Sequence, residues 1–431
     1  MEILHLSKPD RQLRGHIALD GSKSLSNRAL IALALAGADP APLLRNLSTS
    51  KDTQTLARLL AGAGDVYDAG DAGTTFRFLT AFLALQPGKQ VLTGSARMRE
   101  RPVGPLVQAL RSLGADIECT EKEGYPPLRI GPPAGLGHST RTIRVDANVS
   151  SQFLSALLLI APYLPYGLEL IPNGALVSRP YLDMTIRMMR YFGAAVEWQG
   201  DAIRIAPGAY TPRPLTIEAD WSAASYWYAL AALAVEAELS LDGLSAGSWQ
   251  GDAVLAAMMP AFGIQTAFIG ATAGAPDRIV LKKEKIALPP AFEWNFLECP
   301  DIAQTLAVVC AGLGVPGVFT GLETLAIKET DRTAALQTEL GKVGVSFEPM
   351  PPRLPAGQHD PNTWLVHGKA GWKTPPRFST YGDHRMAMAF APLALLAPVD
   401  IEHPDVVRKS YPMFWTHLAQ AGFVCKKSTA P

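Results

Sequence analysis

Five short stretches of the chain gather charge beside glycine and small hydroxyl residues. They are Asp20-Gly21-Ser22-Lys23-Ser24-Leu25-Ser26-Asn27-Arg28, Asp71-Ala72-Gly73-Thr74-Thr75-Phe76-Arg77, Arg97-Met98-Arg99-Glu100-Arg101-Pro102, Ala326-Ile327-Lys328-Glu329-Thr330-Asp331-Arg332 and Gly382-Asp383-His384-Arg385-Met386-Ala387-Met388. An isolated Lys or Arg is ordinarily a solvated surface charge. Cations that recur in loops shared with Gly, Ser and Thr suit an anionic ligand instead. Arg grips carboxylate or phosphate with a planar fork, and Gly lets the backbone come close. Three helix starts point the same way. Ser24–Arg28 leads into 29–36, Gly73-Thr74-Thr75 into 76–85, and Ser150-Ser151-Gln152 into 153–160. Small polar residues cap helices, and a helix N-terminus offers unpaired N–H groups and partial positive charge to an anion.

These loops must be held by elements, and one supersecondary pattern recurs. A helical stretch ends at Gly and turns directly into a strand-like segment, as at Leu110–Glu118, Met189–Glu197, Met259–Ile264, Leu340–Phe347 and Leu418–Val424, with a weaker copy at Leu59–Val66. Gly114, Gly193, Gly263, Gly344 and Gly422 follow one another at steps of 79, 70, 81 and 78 residues, whereas Gly64 to Gly114 is 50. A near-constant period means repeated units. The expectation is six α/β units, three per domain, with the first shortened.

With 431 residues the chain is long enough for two domains of about 200 residues each. Its 48% hydrophobic and 18% charged residues are those of a globular protein. Lys plus Arg and Asp plus Glu both total 39, so the basic excess usual in nucleic-acid binders is missing. The start of the chain lacks a basic segment followed by an apolar run, and the apolar stretches at 29–36 and 154–160 are too short to span a bilayer. A cytoplasmic location is expected. Cys119, Cys299, Cys310 and Cys425 form no CxxC pair and read as free buried thiols, with no metal cluster.

The five loops, in this order, resemble the signature motifs of 5-enolpyruvylshikimate-3-phosphate synthases, a branch of the enolpyruvyl-transferase family. The resemblance extends to Ser150-Ser151-Gln152, Ser178-Arg179-Pro180-Tyr181, Pro300-Asp301-Ile302-Ala303 and Lys409-Ser410-Tyr411-Pro412, and so runs from end to end of the chain. It implies an α/β fold of two domains, each built from three βαβαββ units, with the active site in the interdomain cleft. Residues 21–220 would form an inserted domain carrying the SKSLSNR, DAGTTFR and SSQ motifs. Residues 1–20 plus 221–431 would form the other, carrying the KETDR and DHRMAM loops.

The resemblance also implies a reaction and assigns residues to it. The enolpyruvyl group of phosphoenolpyruvate passes to the 5-hydroxyl of shikimate 3-phosphate, and phosphate leaves. No cofactor or metal is implied. The partners are these small molecules, with no nucleic acid, no membrane and a monomeric chain. Shikimate 3-phosphate would be held by Lys23, Ser24, Arg28, Ser150, Ser151, Gln152, Ser178, Tyr181, Asp301 and Lys328. Phosphoenolpyruvate would be held by Lys23, Gly73, Arg101, Gln152, Arg332, Arg385 and Lys409. Asp301 is the best candidate for the base, Glu329 for the acid that protonates the methylene carbon, and Lys328 for a share in either proton transfer. The herbicide glyphosate would compete with phosphoenolpyruvate.

Two positions depart from the pattern. Asp71 stands where the family usually has Asn, and Arg77 is its expected partner. Thr324 stands where many members have Asn, and it is left out of the site. The nearest alternative is a UDP-N-acetylglucosamine enolpyruvyl transferase, which usually carries a reactive Cys in the loop matching Arg97–Pro102. A nucleic-acid-processing relative built from similar units is disfavoured by the zero net charge.

Overall fold

The computed structural model describes residues 2–62, 64–138, 140–146, 150–174, 176–271, 277–350 and 362–429. The chain divides into two compact units, Met1–Asp20 with Glu218–Pro431, and Gly21–Ile217. The sequence suggests the second crossing at Glu218–Ser222. Glu218 already belongs to the first of these units, where its carboxylate accepts from Trp221 Nε1, Ser248 Oγ and Gln250 Nε2.

The inserted unit holds helices α1 Lys23–Leu35, α2 Lys51–Ala61, α3 Gly73–Leu83, α4 Ala96–Arg99, α5 Gly104–Ser112, α6 Ser151–Ile160 and α7 Arg179–Tyr191. The other holds α8 Trp221–Leu233, α9 Leu255–Met258, α10 Ala303–Leu313, α11 Arg332–Gly341, α12 His384–Phe390 and α13 Phe414–Gln420. Five four-stranded sheets are present among the described residues, two in the inserted unit and three in the other, together with one two-stranded sheet.

All five four-stranded sheets repeat one ladder: a parallel pair extended by two antiparallel strands. In the inserted unit, Thr142–Asp146 runs parallel to Leu168–Asn173, and Ala202–Ile205 and Val196–Gln199 follow antiparallel. In the other unit, Phe292–Asn295 runs parallel to Gly317–Thr320, with Trp364–His367 and Ser346–Pro349 antiparallel beyond it. A helix separates the two parallel strands each time, because parallel neighbours need a crossover. This is the expected βαβαββ repeat. The shortened unit is the two-stranded pair of Leu44–Arg45 with Leu215–Thr216.

Helices α3, α6, α8, α10 and α12 are buried on nearly every side. Twelve of the thirteen residues of α8 are buried, since Ala, Leu and aromatic residues leave no polar face. Its start is fixed by Asp220, whose side chain accepts from Ala223 N at 3.0 Å. Helices α8, α10 and α12 pack together, as do α1, α3, α6 and α7 in the inserted unit.

The glycine junctions are as expected at five positions. Gly114, Gly193, Gly263, Gly344 and Gly422 have φ of 96°, 90°, 79°, 77° and 85°. At the weaker copy Gly62 ends α2 with a φ of −83°, Ala63 lies outside the described residues, and the chain continues into the strand Val66–Asp68 of a four-stranded sheet.

Gly114 tests the junction. A Cβ there would sit 2.3 Å from Gly135 O, in addition to the strain of its positive φ. Gly200 has φ +57° and open space around the same atom. Gly200→Ala should cost about 1 kcal/mol and Gly114→Ala clearly more. Chemical denaturation of both variants checks the order, and equal losses would contradict it.

Candidate active site

The expected residues of the inserted unit come together at one end of its helices. Side-chain contacts tie the helix starts to each other. Lys23 Nζ, in the first turn of α1, is 3.2 Å from Asp52 Oδ2 in the first turn of α2. Thr75 Oγ1, at the start of α3, donates to Asp52 O at 3.0 Å. Gln152 Nε2, at the start of α6, donates to Thr74 Oγ1 at 3.1 Å. Arg28 joins α1 to α7 through Nη1 to Ser24 O at 2.9 Å and Nη2 to Tyr181 O at 3.4 Å. Five helix N-termini therefore converge, and their partial positive charges add.

Two details leave this end open to an anion. Helix α3 begins at Gly73 with no side-chain cap, so its first N–H groups lack that partner. At the start of α7, Ser178 takes a left-handed φ of +58°, unusual for a non-glycine residue, and its hydroxyl caps nothing. Ser150 by contrast accepts from Gln152 N at 3.2 Å, and Ser151 is the first residue of α6.

Arg101 follows α4, and its buried Nε has no hydrogen-bond partner among the described residues. A Cβ on Gly73 would lie 2.6 Å from Arg101 Nη1 and 2.8 Å from Arg77 Nη1. Glycine at this position is thus what lets both guanidinium groups crowd the start of α3. Asp71 corrects an expectation. It accepts the Ser95 hydroxyl, while Arg77 donates to Gly73 O at 2.9 Å and Pro102 O at 3.3 Å.

Arg28 is buried, with Nε on Thr185 Oγ1 at 2.7 Å and Nη2 on Ser155 Oγ at 3.1 Å. Burial, against the opposing effect of Tyr181, brings it down to about 10. Here Arg28 fastens three helices at the ligand end.

The expected residues of the other unit form one ionic network around Arg332. This guanidinium is 1% exposed. Its Nε is 2.7 Å from Asp383 Oδ2, its Nη1 3.0 Å from Asp301 Oδ1 and its Nη2 2.9 Å from Glu329 Oε2. Burial alone would lower Arg332; Asp383, Glu329 and Asp301 outweigh it and hold the group above its ordinary value. Two further cations complete Asp301: Lys328 Nζ at 3.6 Å from Oδ1 and Arg385 Nη2 at 3.0 Å from Oδ2. Lys409 Nζ lies 3.2 Å from Glu329 Oε1.

Helix starts position these groups too. Asp301 precedes α10. Asp331 caps α11 through Thr333 N and Ala334 N, which sets Arg332 as its first residue. Asp383 caps α12 by accepting from Arg385 N at 2.9 Å, so one carboxylate fixes a helix and an arginine together. His384 is buried, its Nδ1 3.6 Å from Asp383 Oδ1.

Thr324 was left out on sequence grounds, yet it is buried with Oγ1 lacking a hydrogen-bond partner among the described residues. Its signal was position: it lies in the Glu323–Ile327 turn that leads to Lys328. All four cysteines are free, and no group of His, Cys, Asp and Glu suits a metal among the described residues. No described helix is long and apolar enough to cross a membrane.

A family model described as EPSP synthase (3-phosphoshikimate 1-carboxyvinyltransferase) matches residues 56–418. The chain belongs to the EPSP synthase family. It is 44% identical over 426 residues to a 3-phosphoshikimate 1-carboxyvinyltransferase of Bacteroides fragilis, with 98% of each chain covered. It is 34% identical to the protein of that name from Vibrio cholerae serotype O1, over 97% of this chain and 99% of the relative. The fold is similar to that of a solved EPSP synthase from Acinetobacter baumannii, with a TM-score of 0.75 at 21% identity over the whole of both chains. The matching model is thus the EPSP synthase branch, and the UDP-N-acetylglucosamine alternative is not favoured.

In this EPSP synthase-family chain the guanidinium of Arg332 is the one cation among the described residues shared by Asp301, Glu329 and Asp383. Arg332→Gln would leave all three under-compensated and should cost about 3–5 kcal/mol at neutral pH. A buried carboxylate left without its cation destabilises the fold when ionised, and less so as falling pH favours its neutral form. The deficit should therefore shrink as pH falls from 7.5 towards 5. Urea unfolding at the two pH values checks this, and a deficit that grows on acidification would contradict it.

Proposed function

We propose that the chain transfers the enolpyruvyl group of phosphoenolpyruvate to shikimate 3-phosphate, with the two clusters acting on the same substrates. Family membership supports the reaction, and the Asp301 cluster is the observation that carries the chemistry. A carboxylate with no anion to attract has a reason to stand among Lys328, Arg332 and Arg385 if it accepts a proton.

Shikimate 3-phosphate carries a phosphate, a carboxylate and hydroxyls. Lys23, Ser150, Ser151, Gln152 and Ser178 take the phosphate at the converging helix starts. Ser24, Arg28 and Tyr181 serve the carboxylate side, and Asp301 and Lys328 reach the ring hydroxyls. Phosphoenolpyruvate is held by Lys23, Gly73, Arg101, Gln152, Arg332, Arg385 and Lys409. Arg332 meets it only where one of its carboxylates yields a contact, because its donors are otherwise engaged.

The 5-hydroxyl oxygen attacks C2 of phosphoenolpyruvate while Asp301 receives the hydroxyl proton. C3 gains a proton, for which Glu329 is the donor, and the double bond becomes a methyl group on a tetrahedral carbon. In the second stage the C2–O bond to phosphate breaks. A methyl proton passes to Glu329, left as a carboxylate by the first stage, and the enol ether double bond forms as phosphate departs with the C–O electron pair. The cations around both carboxylates stabilise charge as it shifts.

Asp301→Asn keeps the shape and removes the base. Turnover should fall at least about a hundredfold, with shikimate 3-phosphate binding unchanged or slightly tighter. Steady-state phosphate release beside calorimetric titration checks the split. Binding that collapses while turnover holds would sink the assignment.

Gly73→Ala pushes against Arg101 and Arg77. The Michaelis constant for phosphoenolpyruvate should rise about tenfold, which is 1.4 kcal/mol. Glyphosate inhibition, competitive with phosphoenolpyruvate, should weaken by a larger factor. Inhibition that does not respond to phosphoenolpyruvate concentration would count against a shared site.

A further inference from the structure

One buried acid beside the Asp301 cluster has no part in the mechanism above. Asp252 lies in the turn Gly251–Val254 and is 4% exposed. Its Oδ2 accepts the Ser222 hydroxyl, and its Oδ1 has no hydrogen-bond partner among the described residues. A buried carboxylate oxygen without a partner carries a desolvation cost. Such a group calls for an explanation, and beside a catalytic cluster the explanation is functional.

Its surroundings supply one. Burial and the Asp301 charge push the Asp252 carboxyl up, Arg385 and the Ser222 hydroxyl pull it back, and Asp220 adds to the rise. Cys299 faces it too, and burial followed by the Asp252 charge pushes that thiol up. Ser222, in the first turn of α8, accepts from Arg385 Nη2 at 3.4 Å. The same Nη2 is 3.0 Å from Asp301 Oδ2, and Arg385 Nη1 donates to Asp301 O at 3.0 Å. Arg385 is therefore held between Asp301 and the Ser222–Asp252 pair.

We propose that Asp252 is a positioning residue for the transfer reaction, holding Arg385 through Ser222 so that its guanidinium keeps its aim at phosphoenolpyruvate. This rests on the reading of Arg385 as a phosphoenolpyruvate ligand. The arrangement has a specific use. When Asp301 accepts the hydroxyl proton, its negative charge disappears and its grip on Nη2 weakens. Asp252 stays on the other side of the guanidinium. Loss of the Asp301 charge also removes the repulsion that opposes ionisation of Asp252. One acid thus holds the arginine while its neighbour carries the proton.

The test compares Asp252→Asn, Ser222→Ala, the double variant and Arg385→Ala in steady-state phosphate release, with shikimate 3-phosphate affinity measured by calorimetry. Asp252→Asn and Ser222→Ala should each raise the Michaelis constant for phosphoenolpyruvate about tenfold and leave shikimate 3-phosphate affinity within about twofold. Because both act through one contact, the double variant should be little worse than the poorer single one. Ser222→Ala removes one oxygen and carries the test alone if Asp252→Asn does not fold. An unchanged Michaelis constant in the single variants, additive losses, or a parallel fall in affinity for both substrates would overturn the proposal. If Arg385→Ala itself leaves the Michaelis constant unchanged, the reading of Arg385 fails. If Arg385→Ala raises it and the other variants do not, only the role of Asp252 fails.

Discussion

The guanidinium of Arg332 is buried with carboxylates from three separate loops around it, and the placement of the helix starts that carry them depends on that arrangement. Asp301 precedes α10, Glu329 precedes α11, and Asp383 caps α12. Ordinarily three negative charges so close together would force their helices apart or take up protons. One planar cation with a donor for each carboxylate removes the conflict. Three helix starts are then held to a common point, and the remaining cations, Lys328, Arg385 and Lys409, are arranged around it. The paired charges cost desolvation, so the network contributes placement more than stability.

The inserted unit solves a complementary problem by different means. Its helices meet at their positive ends, where Asp52 pairs with Lys23. Uncapped α3, left-handed Ser178 and the Arg101 Nε without a partner are local violations of ordinary folding rules. Each lowers the stability of the empty protein slightly and favours a bound anion. One unit is thus organised around negative charge satisfied internally, and the other around positive charge left to be satisfied.

Much of this was legible in the sequence, and the reasons differ by feature. The repeat could be read because a left-handed junction needs glycine, so Gly114, Gly193, Gly263, Gly344 and Gly422 mark it at near-constant steps. The shortened first unit was visible only as a gap in the glycine spacing. Site residues were legible where a motif binds type to position, as in Lys328-Glu329 and Asp383-His384-Arg385. What a motif cannot show is who pairs with whom. Asp71 accepts from Ser95 rather than waiting on Arg77, Arg28 is held by Thr185, Ser155 and backbone oxygens, and Asp252 gave no signal because it sits in no charged loop. Those facts arise from packing between segments far apart in the chain.

The strand Glu2–Ser7 lies between Val399–Glu402 and Val424–Thr429 and is antiparallel to both. Contacts of such long sequence separation form late, because a large loop must close first. On the ribosome the earliest strand must therefore wait, unpaired along both edges, until residues beyond 420 have emerged. The inserted unit has all its sheet partners between Leu44 and Thr216 and can fold during that interval. Translation order thus favours assembling the anion-binding half first, while a short apolar strand stays exposed and exploitable by chaperones or by aggregation.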